Sequence, residues 1–381
     1  MIRMNRSFGP FCRVLLLLLA AALFPAGAEA HAAASSAGRA EDTAAQEIAE
    51  EEPDVKRIVL GHVGDSYEWH IATAGGREWS LPLPVIVHSP SSGWHCFSAK
   101  RLRGGAEYEG LRIAADGDHA GKIVERQADG SDLRPLDLSI TKTVAGLLLN
   151  SALVVALVLG AARWYRGRKP DAAAPRGVVG LFETLVESLV DDLIEPCVGP
   201  SYRRFAPYLL TVFCFIFLNN LMGLIPFFPG GANVTGNIAV ALVLAVATFL
   251  VVNLSGSRHY WKDIFWPDVP TWLKVPVPII PLIELVGVFT KPFALMIRLF
   301  ANMLAGHAVI LSLTCVVFVT VKMGAAVNAS MTALSVLFSI FMNCLELLVA
   351  FLQAYVFTML SAVFIGLAQE RGGEADAGAE K

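Results

Sequence analysis

Two apolar stretches near the C-terminus, residues 282–321 and 325–368, run for 40 and 44 residues and hold four charged side chains between them. A helix needs only about 20 apolar residues to cross the hydrocarbon of a bilayer. At about 1.5 Å per residue, each stretch would measure roughly 60 Å as a helix, twice the thickness of that layer. Neither carries a polar break at which two separate spans could be joined. The pair therefore reads as a hairpin of two long, strongly tilted membrane helices that turns at 322–328, with Pro292 a candidate bend in the first.

Composition agrees that lipid is the solvent of the C-terminal half. Charged residues make up 17% of the chain, and only ten of them fall between Phe205 and Ala368; soluble domains carry about 25%. A net charge of −3 offers no basic surface to phosphates. A cytosolic enzyme, a disordered chain and a nucleic-acid binder are all excluded. The fold class is an all-α polytopic membrane protein with about five membrane helices, an amphipathic surface helix and a small β-rich extracytoplasmic module at the N-terminus.

Residues 1–30 read as a secretory signal: Arg3, Arg6 and Arg13 precede an apolar run at 14–24, and Ala28-Glu29-Ala30 supplies a small-residue cleavage site. Residues 31–139 form a tether rich in Ala, Glu and Asp, followed by a small module. In that module Tyr67, Trp69 and Ile71, then Trp79, Leu81 and Leu83, repeat with the strand period of two. Six of the eight histidines lie here (His31, His62, His70, His88, His95, His119), but their spacing matches no metal-ligand motif. Of the six cysteines only Cys96 belongs to the exported part, so no internal disulfide forms there.

A first span and its basic flank occupy 140–176, where Arg163, Arg166, Arg168 and Lys169 follow the apolar run and place that end in the cytoplasm. Residues 177–197 are amphipathic, with Leu181, Leu185, Leu189 and Leu193 every fourth residue and Glu183, Glu187, Asp191 and Glu195 on another face; this segment should lie along the membrane surface. A transmembrane hairpin at 203–256 turns outside the cell at a Pro, Gly and Asn-rich segment. A cytoplasmic loop at 257–275 carries Trp261, Trp266 and Trp272. The long hairpin spans 276–370, and 371–381 is a cytoplasmic tail.

Set into the long hairpin are Glu284, Lys291, Arg298, Asn302, His307, Asn343, Glu346 and Gln353. A charge at membrane depth costs about 2.5 to 3.5 kcal/mol, so several together need partners or a water path. Glu284, Lys291 and Arg298 are seven apart and Asn302 four further on, which puts these four on one helical face; His307, nine past Arg298, points the other way. With the turn at 322–328, residues at equal depth have numbers summing to about 651. Arg298 then stands level with Gln353, and His307 with Glu346.

The run Lys291-Pro292-Phe293-Ala294-Leu295-Met296-Ile297-Arg298-Leu299-Phe300-Ala301-Asn302-Met303-Leu304-Ala305-Gly306-His307, with Leu352-Gln353-Ala354-Tyr355-Val356-Phe357 downstream, closely resembles the membrane (Fo) subunit a of bacterial F-type ATP synthase. The likeness covers about 177–370 and does not extend to the module. It implies an inner-membrane stator that has no catalysis and no cofactor of its own. Its implied partners are a rotor ring of small hairpin subunits c, a peripheral-stalk subunit b, the rest of the complex and membrane lipid. By the same resemblance Arg298 is the essential arginine, Asn302 its neighbouring amide and Gln353 the glutamine of the last helix. Many family members have Glu where this chain has His307 and His where it has Glu346. The exchange leaves one acid facing one imidazole, as a proton relay needs. His307, Glu346 and the amides Asn219, Asn233, Asn237 and Asn343 are candidates for the outer half-channel, and Glu284 with Lys291 for the inner one. An ion antiporter or other secondary carrier also hides charges in apolar helices, but it predicts inverted repeats and broken helices, and no such repeat is found.

Overall fold

The computed structural model describes residues 64–74, 77–114, 119–126, 132–166, 175–225, 230–266 and 279–369. The signal segment, the tether up to residue 63, the tail 371–381 and the side chains Arg168, Lys169 and Trp272 lie outside the described residues.

Among the described residues the module holds three small antiparallel sheets. One pairs β1 (Glu68–Ala74) with β2 (Arg77–Pro82). Another orders β4 (Gly93–Ser98), β3 (Pro84–Ser89) and β8 (Leu136–Asp137). The last orders β5 (Leu111–Ile113), β6 (Ile123–Arg126) and β7 (Asp132–Leu133). Alternation along β3 sends Val85 and Val87 into a core shared with Tyr67, Phe97, Leu102, Leu111 and Ile123. The period-two pattern in the first two strands is only partly a burial pattern. Tyr67 and Trp69 are buried while Ile71, Trp79 and Leu81 are exposed, and a register shift between His70 and Ala72 interrupts the period along β1. Tyr67 donates a hydrogen bond to the Asp137 carboxylate, and burial with that neighbouring acid pushes the phenol above its ordinary range.

β8 leads almost directly into helix α1 (Lys142–Tyr165). Thr141 caps it by accepting from Val144 N at 3.5 Å, and Asp65 in the module accepts from Thr143 N at 3.0 Å, which ties the two parts together. α2 (Val178–Leu189) continues through a wide turn at Val190–Ile194 into α3 (Glu195–Val198), and after a tight turn at Gly199–Ser201 into α4 (Tyr202–Leu224). The amphipathic segment is thus joined to the following apolar helix in one run of 47 residues, Val178–Leu224. Leu189, Leu193 and Ile194 are turned inward, whereas Glu187, Asp191 and Glu195 are exposed.

Helix α5 (Ile238–Ser255) returns with Thr248 hydrogen-bonded to Tyr208 of α4 at 3.0 Å, and α6 (Arg258–Phe265) bends away from α5 by 102°. α7 (Ile279–Thr320) and α8 (Ala325–Gln369) are continuous for 42 and 45 residues, and α7 runs through Pro292 without interruption. Between them the chain reverses through Val321–Met323 and Gly324, whose φ of +100° is readily available only to glycine. Among the described residues four helices are long and apolar enough to cross a membrane, or five if the bent pair α5–α6 counts as one.

One core joins α1 through α8 and gathers Leu209, Phe213 and Ile216 of α4, Leu295 and Leu299 of α7, and Ala354, Phe357 and Ile365 of α8. Near the end of α8 a Cβ on Gly366 would stand 2.0 Å from the carbonyl oxygen of Cys197, so only glycine allows α3 to approach this closely. At the opposite end of the bundle the module rests on α1 and on the α4–α5 turn through Trp69, which packs with Ala232 and Val234.

Candidate functional site

Helix α7 divides its polar residues between two faces. Leu295, Leu299 and Met303 are buried against the bundle, while Glu284, Lys291, Arg298 and Asn302 are all exposed. Around Arg298 the exposed side chains include the small Ala294, Ala301 and Ala305. Among the described residues, Arg298 has neither a hydrogen bond nor an ion pair. Gln353, level with it on α8, is 8% exposed, and the two side chains are not hydrogen-bonded to each other.

The other face of α7 carries His307. Its Nδ1 is hydrogen-bonded to Glu346 Oε1 of α8, and Glu346 is only 3% exposed. Gly306 is what lets the carboxylate sit here, since a Cβ at that position would meet Oε1 at 2.7 Å. The second imidazole nitrogen, Nε2, points toward α4, 3.7 Å from where a Cβ would stand on Gly223, with Ala232 O and Asn233 beside the same spot. His307 therefore has one nitrogen on a buried acid and the other toward the α4–α5 turn. An imidazole so placed can take a proton at one nitrogen and release it at the other.

Amides continue this polar zone into the bundle. Asn219 Oδ1 accepts from Asn150 Nδ2 of α1 at 3.0 Å, and Asn219 Nδ2 donates to Phe215 O. Asn220 donates to Ala350 O at 3.1 Å and accepts from Thr235 Oγ1 at 2.6 Å. All four polar side chains are buried. Among the described residues Glu346 Oε2, Asn233 Nδ2 and Asn150 Oδ1 are buried with no hydrogen-bond partner. Thr358 Oγ1 of α8 is in the same position, and leaving such a group unmatched costs about 1 to 3 kcal/mol.

Not every amide singled out from the sequence takes part. Asn237 caps α5 by accepting from Ala239 N at 3.0 Å, and Asn343 bonds back to Ser339 O at 2.8 Å on its own helix. Conversely, Asn150, Asn220 and Thr235 were not expected from the sequence. The adjacent pair Asn219-Asn220 in an apolar helix is the signal that points to the second of them.

At the end of the bundle away from the module, Lys291 Nζ lies 5.6 Å from the centre of the Phe364 ring. Lys291 also lines a cleft with Thr248, Asn253, Tyr260, Phe364 and Leu367. Tyr260 donates to Asn253 Oδ1 at 3.3 Å and stands within electrostatic reach of Glu284.

Comparison with known proteins agrees with this architecture. Residues 148–366 match the family described as ATP synthase A chain. The chain belongs to that family. Its subunit a relatives include ATP synthase subunit a 2 of Chlorobaculum tepidum, 47% identical over 242 residues, a match covering 61% of this chain and 64% of that one. ATP synthase subunit a of Chlorobium phaeobacteroides is 45% identical over 245 residues, covering 63% and 68%. That of Anaeromyxobacter dehalogenans is 34% identical over 333 residues, covering 82% and 80%. A match of this extent must reach into the N-terminal module, so the expectation that family members lack a counterpart of the module is corrected by at least one relative. Residues 58–138 separately match a family described as a domain of unknown function (DUF8433).

Proposed function

We propose that this subunit a is the proton-translocating stator of a rotary F-type ATP synthase in a bacterial inner membrane. It faces a ring of c subunits, contacts the peripheral-stalk subunit b, and couples proton flow to rotation. The observation that carries the reading is the exposed cation: Arg298 projects from its own bundle at the centre of a long apolar helix, while the nearby buried acid, Glu346, is engaged by His307 on the opposite face.

A rotor carboxyl can face lipid only when neutral, because an ionised one would cost several kcal/mol there. Passing Arg298, it is favoured as the anion and gives up its proton. Exposed Ala294, Ala301 and Ala305 leave room for a rotor helix to come close. A guanidinium keeps its charge throughout, so it also bars protons from passing directly between the two half-channels.

Protons enter from the module side through the zone of Asn233, Asn219 and His307–Glu346, with Asn150, Asn220 and Thr235 as further lining. They leave past Lys291, Tyr260 and Glu284 at the other end. This orientation puts the module outside the cytoplasm and the C-terminus inside. Roughly 60 Å of α7 fits a hydrocarbon layer of about 30 Å only when steeply oblique. A carrier would use helices broken at the membrane midplane, and the continuity of α7 and α8 speaks against it. Replacing Arg298 by Ala tests the proposal: proton-driven ATP synthesis in membranes should be abolished, and substantial remaining synthesis would refute it.

A further inference from the structure

The β1–β2 ribbon offers a second membrane contact. Cross-strand neighbours in an antiparallel pair project from the same face. Trp69 stands opposite Leu81 and Ala72 opposite Trp79, so Trp69, Leu81 and Trp79 share one side of the ribbon. Trp69, 4% exposed, is set against Ala145 and Leu147 of α1, Ala232 and Val234 of the α4–α5 turn and Val240 of α5, and its indole N–H donates to Gly230 O at 3.2 Å. This side of the ribbon therefore rests on the ends of the apolar helices. It continues past them as Leu81, 43% exposed, and Trp79, 64% exposed.

What lies beside those helix ends is given by their own surfaces. Val144 and Leu148 of α1 and Ile238 and Leu242 of α5 are exposed apolar side chains within the first two turns, next to the residues that hold Trp69. The apolar band of the helices thus begins at the ends against which Trp69 packs, and Leu81 and Trp79 lie on that same side of the ribbon. We propose that the face carrying Trp79 and Leu81 enters the lipid interface on the module side of the membrane and seats the module against the bilayer. Indole suits this depth, since its ring is apolar and its N–H can stay with headgroups and water.

The test uses the full chain in its complex, reconstituted into phosphatidylcholine vesicles whose acyl chains are brominated near the headgroup. Subtracting the tryptophan emission of Trp79→Phe from that of the unaltered protein isolates the contribution of Trp79. That contribution should be quenched at least twofold by brominated lipid relative to unbrominated vesicles and little by aqueous iodide. Quenching by iodide without quenching by brominated lipid would overturn the proposal by putting Trp79 in water. Shielding from both quenchers would overturn it in favour of a protein contact. A Leu81→Glu variant supplies the second arm: it should make Trp79 accessible to iodide, and unchanged accessibility would also count against a lipid-seated face.

Discussion

Adding one methyl group at Gly306 should separate the relay from the fold. In Gly306→Ala the new carbon would sit 2.7 Å from Glu346 Oε1, about 0.7 Å inside the 3.4 Å at which ordinary contact begins. The carboxylate is the free end of a side chain, so it yields by rotation, at about 0.5 to 1.5 kcal/mol. Alanine recovers about 0.8 to 1.0 kcal/mol in a helix interior relative to glycine. The steric cost and the helix gain therefore offset each other to within about 1 kcal/mol, which leaves the lost hydrogen bond as the main cost to stability. The hydrogen bond to His307 Nδ1 cannot survive the same movement, because it involves the very oxygen that is displaced. Hydrogen bonds to charged groups contribute about 1.5 to 3 kcal/mol. If that difference appears in the barrier for proton passage, conduction falls roughly 10- to 150-fold. The assay is passive proton flow through vesicles freed of the catalytic sector, with assembly checked by recovery of the complex. Gly160→Ala in α1, where no atom lies within 4 Å of the new carbon, is the control. Conduction of Gly306→Ala within twofold of that control would refute the role given to the pair.

Three further outcomes are expected. Combining His307→Glu with Glu346→His should restore more proton conduction than either single change; equal loss in all three variants would reject a paired relay. Trp69→Ala removes a buried indole and its bond to Gly230 O, a loss of about 3 to 5 kcal/mol. Limited proteolysis should then cut the module from the membrane region far faster than in the unaltered chain, and an unchanged rate would dismiss Trp69 as the anchor. The Glu125 carboxyl is held below its ordinary value by hydrogen bonds from Ser89 and Ser91, and that of Glu68 by Arg103. A depressed folded pKa stabilises above the unfolded value and is lost as pH falls through the folded one. Hydrogen-exchange protection of β3 and β6 should thus decline as pH drops below about 4.5. The decline should be weaker in Glu125→Gln, and an identical profile would exclude that carboxylate as a cause.

The helical half was legible because lipid demands long unbroken apolar runs, and no other pattern in the chain imitates them. The 3.6-residue period alone separates Arg298 from His307, and a turn at 322–328 alone brings His307 level with Glu346. The amides were harder to read. Asn343 and Asn220 both stand in long apolar runs, yet Asn343 serves its own helix and Asn220 bridges α4 to Thr235 and α8. A polar residue in an apolar run signals that some bond must be made, without saying whether the partner is four residues back or on another helix. Likewise the period of two could announce β1 and β2 but not the register shift between His70 and Ala72, nor that Trp79 and Leu81 stay exposed on the side where Trp69 is buried. Nor could it announce that Trp69 would be covered by the α4–α5 turn, a contact 161 residues away along the chain.

The nine-residue interval between Arg298 and His307 does more than order two residues along α7. At 100° per residue it amounts to half a turn, so the relay pair and the arginine are kept back to back with the helix between them. Had Glu346 met the arginine face instead, the two would have closed an ion pair at membrane depth, where opposite charges attract strongly and little water competes. The cation would then be neutralised within its own chain, with no charge left for a passing carboxyl. Engaging Glu346, which is buried, with a half-buried His307 on the face of α7 toward Gly223 of α4 keeps that competitor away from Arg298. If the two work as the proposed pair, exchanging acid and imidazole between α7 and α8 should leave it intact, whereas Arg298, unbonded among the described residues, would on the same proposal act on a carboxyl outside the chain.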